Sequence, residues 1–231
     1  MVLKETAYLV VHGFAGSPEE IEYLVAYLRA EGFDAHTVLL RGHGGTKRDL
    51  ARSNHEDWIA SVREAADALK KEYRRIVFLG FSMGGLICLH FADAPETDGL
   101  VLVNTPIYFW NLRIIAGDVL GAVLKGRPER WAYYKESVRG VSLKSGIDFL
   151  KILSASKRAM GTVGKPTLVA QCMDDESAHH KSARYIKEKL GPQARERYYD
   201  GGRHQVFGEP SEIRERLCED ICRFLREEGQ A

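Results

Sequence analysis

The chain has 231 residues, 45% of them hydrophobic and 28% charged. That length suits one domain, or one domain with an insertion, and that composition is ordinary for a globular protein. The 33 Lys and Arg nearly balance the 32 Asp and Glu, for a net charge of +1. No overall field therefore favours nucleic acid or an anionic membrane, and no stretch reaches the roughly 18 apolar residues of a spanning helix.

The opening residues, MVLKETAYLVVHGF, lack the charged-then-apolar layout of a secretion signal, so a cytoplasmic protein is expected. Ala7 to Val11 reads as a short buried strand. Ser17-Pro18-Glu19-Glu20 then opens a helix, with Ser17 as N-cap, Pro18 at the first position and Glu20 closing a capping box. Ile21, Leu24, Val25 and Leu28 give that helix an apolar face, and Gly32 stops it. Asp34 to Leu40 is the next strand, and Ser53-Asn54-His55-Glu56 offers a second capping box for a long helix reaching Lys71. Strands follow at Ile76 to Leu79, Gly99 to Val103, Pro166 to Cys172 and Arg197 to Tyr199. Helices fall at Leu86 to Ala92, Lys181 to Leu190 and Ser211 to Glu228. Strands that are apolar on both faces and separated by helices predict a parallel sheet covered on each side, the α/β class. Cys88 and Cys172 lie in apolar runs, and Cys218 and Cys222 share one helix face. Buried thiols are expected there, rather than disulfides or metal ligands.

One segment breaks the alternation. Residues 105–165 contain no clear strand and hold eleven Lys and Arg against four Asp and Glu, a local +7, so the remainder carries 1 − 7 = −6. Trp110, Trp131, Tyr133, Tyr134 and Phe149 are interleaved with this charge. A helical cap is expected over the C-terminal edge of the sheet, where ligands of open α/β sheets bind. The division is then a core of residues 1–104 and 166–231 with a cap of 105–165.

Gly80-Phe81-Ser82-Met83-Gly84 follows a buried strand and precedes an apolar helix. In that context the G-x-S-x-G pattern predicts a sharp strand-to-helix turn with Ser82 at its apex. Small neighbours let the backbones approach, and the hydroxyl is lifted above the sheet edge. Such a serine needs a base, and the base an orienting acid, both later in the chain. Of the histidines that come late enough, His204 sits in the glycine-rich loop Asp200-Gly201-Gly202-Arg203-His204 after the last strand. The acid should end the preceding strand, where Asp174, Asp175 and Glu176 compete and physics alone leaves the choice open. The oxyanion hole needs two backbone N–H groups. Met83 offers one, and Phe14 in the loop His12-Gly13-Phe14-Ala15-Gly16 offers the other. His12 reads as a structural loop histidine.

His12-Gly13-Phe14, Arg41-Gly42-His43-Gly44-Gly45, the Ser82 turn and Gly201-Gly202-Arg203-His204 together resemble the α/β-hydrolase superfamily, most closely small bacterial carboxylesterases and monoacylglycerol-lipase-like esterases. The resemblance runs the whole length and is weakest in 105–165. It implies an α/β-hydrolase fold, a mostly parallel central sheet flanked by helices. Gln171 to Glu176 looks like the family's acid loop, in which the acid stands four places after a glutamine, and this favours Asp175. Gly202-Arg203 departs from the family's usual pair before the base and puts a charge near the site. The implied function is hydrolysis of short- to medium-chain carboxylic esters by Ser82, His204 and Asp175 through an acyl-enzyme, without cofactor or metal. A thioesterase, feruloyl-type esterase or amidase with the same triad is the alternative, as is an inactive binding protein of the same fold. The expected partner is a small-molecule ester, with no nucleic acid and no stable membrane insertion, on a monomer or small homo-oligomer. Ile107, Phe109 and Trp110 are candidate substrate contacts.

Overall fold

The computed structural model describes residues 3–109, 141–160 and 164–229. Among these, six strands form one wholly parallel sheet: β1 (Lys4–Val11), β2 (Ala35–Val38), β3 (Tyr73–Phe81), β4 (Thr97–Val103), β5 (Thr167–Cys172) and β6 (Ala194–Tyr199), in the order β2-β1-β3-β4-β5-β6. The chain steps from β1 outward to β2 and then returns to the other side of β1 with β3. The carboxyl ends of β1 and β3 therefore flank the point where the strand order reverses, the crevice that parallel sheets use for ligands.

Parallel pairing requires both faces to be covered, and the helices do this. On one face Leu9, Val11, Phe78, Leu100 and Val169 pack with apolar residues of α2 (Lys47–Arg52), α3 (His55–Leu69), α4 (Met83–Cys88), α5 (Leu143–Ala159) and α6 (Lys181–Leu190). On the other face Val10, Leu79, Val101 and Leu168 meet α1 (Glu22–Ala30) and α7 (Glu212–Glu228). All four cysteines are free and buried.

Several boundaries differ from the sequence expectation. The strand expected over Asp34 to Leu40 is only Ala35–Val38, because the Leu40 N–H instead donates to the His12 ring. The edge strand β6 begins at Ala194, where alternating Arg and Glu mask the period of a half-solvated edge. Helix α2 is not anticipated, although Thr46 and Asp49 close a capping box on it. Helix α3 takes Asn54 and Asp57 as its box rather than a box opening at Ser53. The helix expected over Leu86 to Ala92 starts three residues earlier, at Met83, and continues as a 3-10 turn through Phe91.

Within the segment expected to form a cap, α5 anchors firmly to the core. Ile152, Leu153 and Met160 belong to the sheet-facing cluster, and the Ser156 hydroxyl donates to the Leu86 carbonyl. Buried Asp148 accepts from Lys144 and Lys151 and meets His55 of α3 at 3.2 Å.

Candidate active site

Strand β3 delivers Phe81 and α4 begins at Met83, so a single residue makes the turn. That residue, Ser82, has φ 54° and ψ −122°, a conformation that costs a side-chain-bearing residue on the order of 1–3 kcal/mol. The flanking glycines follow from contact distances. A Cβ on Gly80 would lie 2.3 Å from the Gly85 nitrogen, and one on Gly84 would lie 2.2 Å from the Val11 carbonyl oxygen. No larger residue fits either place, which is why the turn can be so tight. Ser82 Oγ stands at the switch point of the sheet.

The loop after β6 brings His204 to this serine, with His204 Nε2 2.9 Å from Ser82 Oγ. His204 Nδ1 lies 2.8 Å from Asp175 Oδ2. Asp175 is fully buried, and its Oδ1 accepts the Ser177 and Ala178 N–H groups, each at 2.7 Å. The two neighbouring acids do not reach the imidazole nitrogens, although Glu176 Oε2 accepts the His204 backbone N–H at 3.4 Å. Asp174 is exposed, and Glu176 pairs with Arg203 Nε at 3.2 Å. The Arg203 charge is thus directed at Glu176 rather than at the imidazole. Burial pushes the His204 pKa down, but the Asp175 carboxylate and its hydrogen bond, then Glu176 and Glu20, outweigh burial and raise it above the ordinary 6.5.

Two buried amides hold these loops: Asn104, which the sequence reading did not single out, and Gln171, which it noted only as the glutamine four places before the acid. Asn104, at the end of β4 with φ 48°, accepts the Cys172 N–H and donates to the His204 carbonyl. Its one buried amide ties the acid loop to the base loop. Gln171 donates to Asp175 Oδ2 and to the Ala178 carbonyl, which closes the acid loop on itself. Runs of polar residues at strand ends carry no periodic signal, so only the folded loops reveal these partners.

Opposite His204 lies the loop 12–16. Met83, as the first residue of α4, has an amide with no acceptor inside the helix. Phe14 is next to Gly13, whose N–H is taken by Glu20 Oε2 at 3.2 Å. This corrects the capping box expected at Ser17 and Glu20. Residues Pro18–Ile21 form a 3-10 turn without a side-chain cap, and the Glu20 carboxylate turns back to the loop and to Gln205. The loop is also braced by the Gly44 N–H, which donates to the Gly16 carbonyl.

The candidate substrate contacts divide. Ile107 is buried in the core cluster, Phe109 is partly exposed beside Phe149 with ring centroids 6.1 Å apart, and Trp110 lies outside the described residues. Phe149 of α5 also meets Phe14 at 5.2 Å, and Phe14 in turn contacts Trp58. Among the described residues no group of three or more His, Cys, Asp or Glu side chains is placed to hold a metal ion, and no helix is long and apolar enough to cross a membrane.

His12 and His43 stand beneath the loop as neutral rings. Burial lowers both from 6.5 to about 4. In each case the folded state binds a proton less readily than the unfolded chain. Their contribution is complete above pH 6.5 and is lost as pH falls toward 4. Each then forfeits about 2 kcal/mol by about pH 5. His204, with its raised pKa, acts in the opposite sense, so a comparison with a variant isolates the effect. Between about pH 7 and 5, urea unfolding of the unaltered chain should lose about 2 kcal/mol more stability than that of His43→Gln. Equal losses would place the His43 ring in contact with water.

The comparisons with known proteins agree with this architecture. The chain is 22% identical over 229 residues to a carboxylesterase of Bacillus subtilis (strain 168), covering 96% of this chain and 92% of that enzyme. It is 35% identical over 114 residues to a thermostable monoacylglycerol lipase of Bacillus sp. (strain H-257), covering 49% of this chain and 44% of that one. Among solved structures, ferulic-acid-bound Est1E of Butyrivibrio proteoclasticus superposes with a TM-score of 0.73 at 19% identity, over 99% of this chain and 91% of the other. A family model described as the alpha/beta hydrolase family matches residues 8–215, and the chain belongs to that family.

Proposed function

We propose that this protein is a serine carboxylesterase, with Ser82 as nucleophile, His204 as general base and Asp175 as the acid that orients the imidazole. The observation that carries this reading is the unbroken line from Ser82 Oγ through both His204 nitrogens to the Asp175 carboxylate, at 2.9 and 2.8 Å. In the proposed reaction, His204 Nε2 takes the Ser82 proton as Oγ bonds to the ester carbonyl carbon. The carbonyl oxygen gains the charge and is held by the Phe14 and Met83 N–H groups. The C–O bond to the alcohol then breaks, with the proton passing from His204 to the leaving oxygen. A water molecule repeats the sequence on the acyl-enzyme and frees the acid. The relatives named carboxylesterase and monoacylglycerol lipase support an ester as the substrate.

In the same reading, residues 105–165 cap the site and select the acyl group. Phe149 lies against Phe14 and Phe109 against Phe149, so in this reading the acyl chain meets aromatic surface as it leaves the oxyanion loop. Each buried methylene adds about 0.8 kcal/mol until the space is filled. Along a series of p-nitrophenyl esters, kcat/KM should climb with chain length to a peak at short or medium chains and then fall. A rate still rising at the longest chains would refute the small pocket. Matched thioesters, anilides and feruloyl esters in the same assay decide between an ester and the alternative acyl bonds. The aromatic trio gives the feruloyl ester a specific claim, as does the likeness to a structure that holds ferulic acid.

A further inference from the structure

Glu20 is placed where no cap and no substrate contact accounts for it. Its Oε2 accepts the Gly13 N–H at 3.2 Å, and its Oε1 accepts from Gln205 Nε2 at 3.1 Å. Gly13 immediately precedes Phe14, and Gln205 immediately follows His204. One carboxylate therefore spans the two loops that face each other across Ser82. The fit is close. A Cβ on Gly16 would stand 2.0 Å from Oε2, so the carboxylate fills the hollow that the loop encloses. A Cβ on Gly13 would stand 3.2 Å from the same oxygen and 3.3 Å from the Ser82 Cβ. Carboxylate, loop and nucleophile are thus in one contiguous layer.

We propose that Glu20 is a positioning residue whose carboxylate clamps the 13–16 loop to the loop bearing His204, and so holds the Phe14 N–H and the imidazole in register with Ser82. The proposal rests on the esterase reading above. It gives Glu20 two effects. The first is geometric: without the clamp the Gly13 N–H has no acceptor, the loop relaxes, and the amide that should meet the oxyanion moves. A misplacement of about 1 Å in a catalytic constellation can lower the rate by about 100-fold. The second is electrostatic. The charged groups acting on the His204 ring are Asp175, Glu176 and Glu20, all of which favour the imidazolium. Arg203 is held on Glu176. Burial raises the Glu20 pKa, while its bonds from Gln205 and Gly13 and the His204 charge oppose that rise.

The test uses the full chain, a soluble p-nitrophenyl ester and two variants. In Glu20→Gln the amide oxygen can still accept the Gly13 N–H, and the Gln205 amide can turn over to offer its own oxygen. In Glu20→Ala both bonds are lost. The expected result is a fall in kcat of about 10- to 100-fold for Glu20→Ala with KM within about threefold, most of the rate recovered in Glu20→Gln, and a rising limb of kcat/KM at lower pH in both variants than in the unaltered chain. Three results would overturn the clamp: wild-type kcat in Glu20→Ala, a Glu20→Gln variant as slow as Glu20→Ala, or a rising limb that neither variant moves. The esterase reading fails separately, if the unaltered chain neither hydrolyses the ester nor reacts with a fluorophosphonate, and the clamp falls with it.

Discussion

Ser82→Ala should abolish ester hydrolysis, and Ser82→Gly should abolish it while making the protein more stable. The two outcomes separate chemistry from backbone. Loss of a nucleophile that works with its base as one unit costs on the order of 10⁴- to 10⁶-fold in kcat. Alanine removes Oγ but keeps the Cβ, so the strain at φ 54° persists and stability should change little. Glycine adopts that conformation without a Cβ clash, so Ser82→Gly should release part of the roughly 1–3 kcal/mol stored there. For a domain of this size that is about 2–4 °C of Tm per kcal/mol. Fluorophosphonate labelling at Ser82, absent from both variants, ties the lost turnover to this atom. A Tm for Ser82→Gly at or below that of Ser82→Ala would mean that the turn is not strained. Hydrolysis surviving in either variant would remove Ser82 from the reaction.

The elbow is legible in the sequence because its requirement is a backbone one. Only glycine satisfies contacts of 2.2 and 2.3 Å at Gly84 and Gly80, so the geometry leaves letters behind. The parallel sheet is legible for a similar reason: strands buried on both faces are written as apolar runs. The edges are less so. Among the described residues, strands β2 and β6 are the outer strands of the sheet and have mixed burial, and their polar residues hide the period.

Glu20 shows a different limit. A serine followed three places later by glutamate reads as a capping box, and the same glutamate can equally reach out of its own turn. The choice is made by Gly13 and Gln205, 7 and 185 residues away, and no local pattern contains them. Asn104 is hidden in the same way. It is a single buried amide whose partners Cys172 and His204 lie 68 and 100 residues away, so its value exists only after those loops have met. The residues 110–140, and with them Trp110, lie outside what the structure describes.

Asp175→Asn should lower kcat by about 10⁴-fold with little change in KM or in Tm, and Asp174→Asn should do almost nothing. The reason lies in the hydrogen bonds of the acid loop. Asp175 Oδ1 accepts two N–H groups, from Ser177 and Ala178, at 2.7 Å each. In the asparagine variant those two donors demand an oxygen, so the amide NH₂ must point the other way, toward His204 Nδ1. Facing a donor, Nδ1 has to act as an acceptor, and the ring proton moves to Nε2. The imidazole then presents an N–H to Ser82 Oγ in place of the lone pair that should take its proton. The loop keeps its backbone bonds, which is why the fold should survive. Gln171 Nε2, 3.4 Å from Oδ2, would also face the new NH₂, and this small conflict sets the only expected cost in stability. Asp174 is exposed, and its backbone N–H, not its carboxylate, makes the contact to the Gly202 carbonyl. Measuring kcat, KM and thermal unfolding for both variants checks the argument. A large loss in Asp174→Asn with Asp175→Asn active would place the acid one residue earlier, and a collapse of Tm in Asp175→Asn would mean that the carboxylate serves the loop before it serves the histidine.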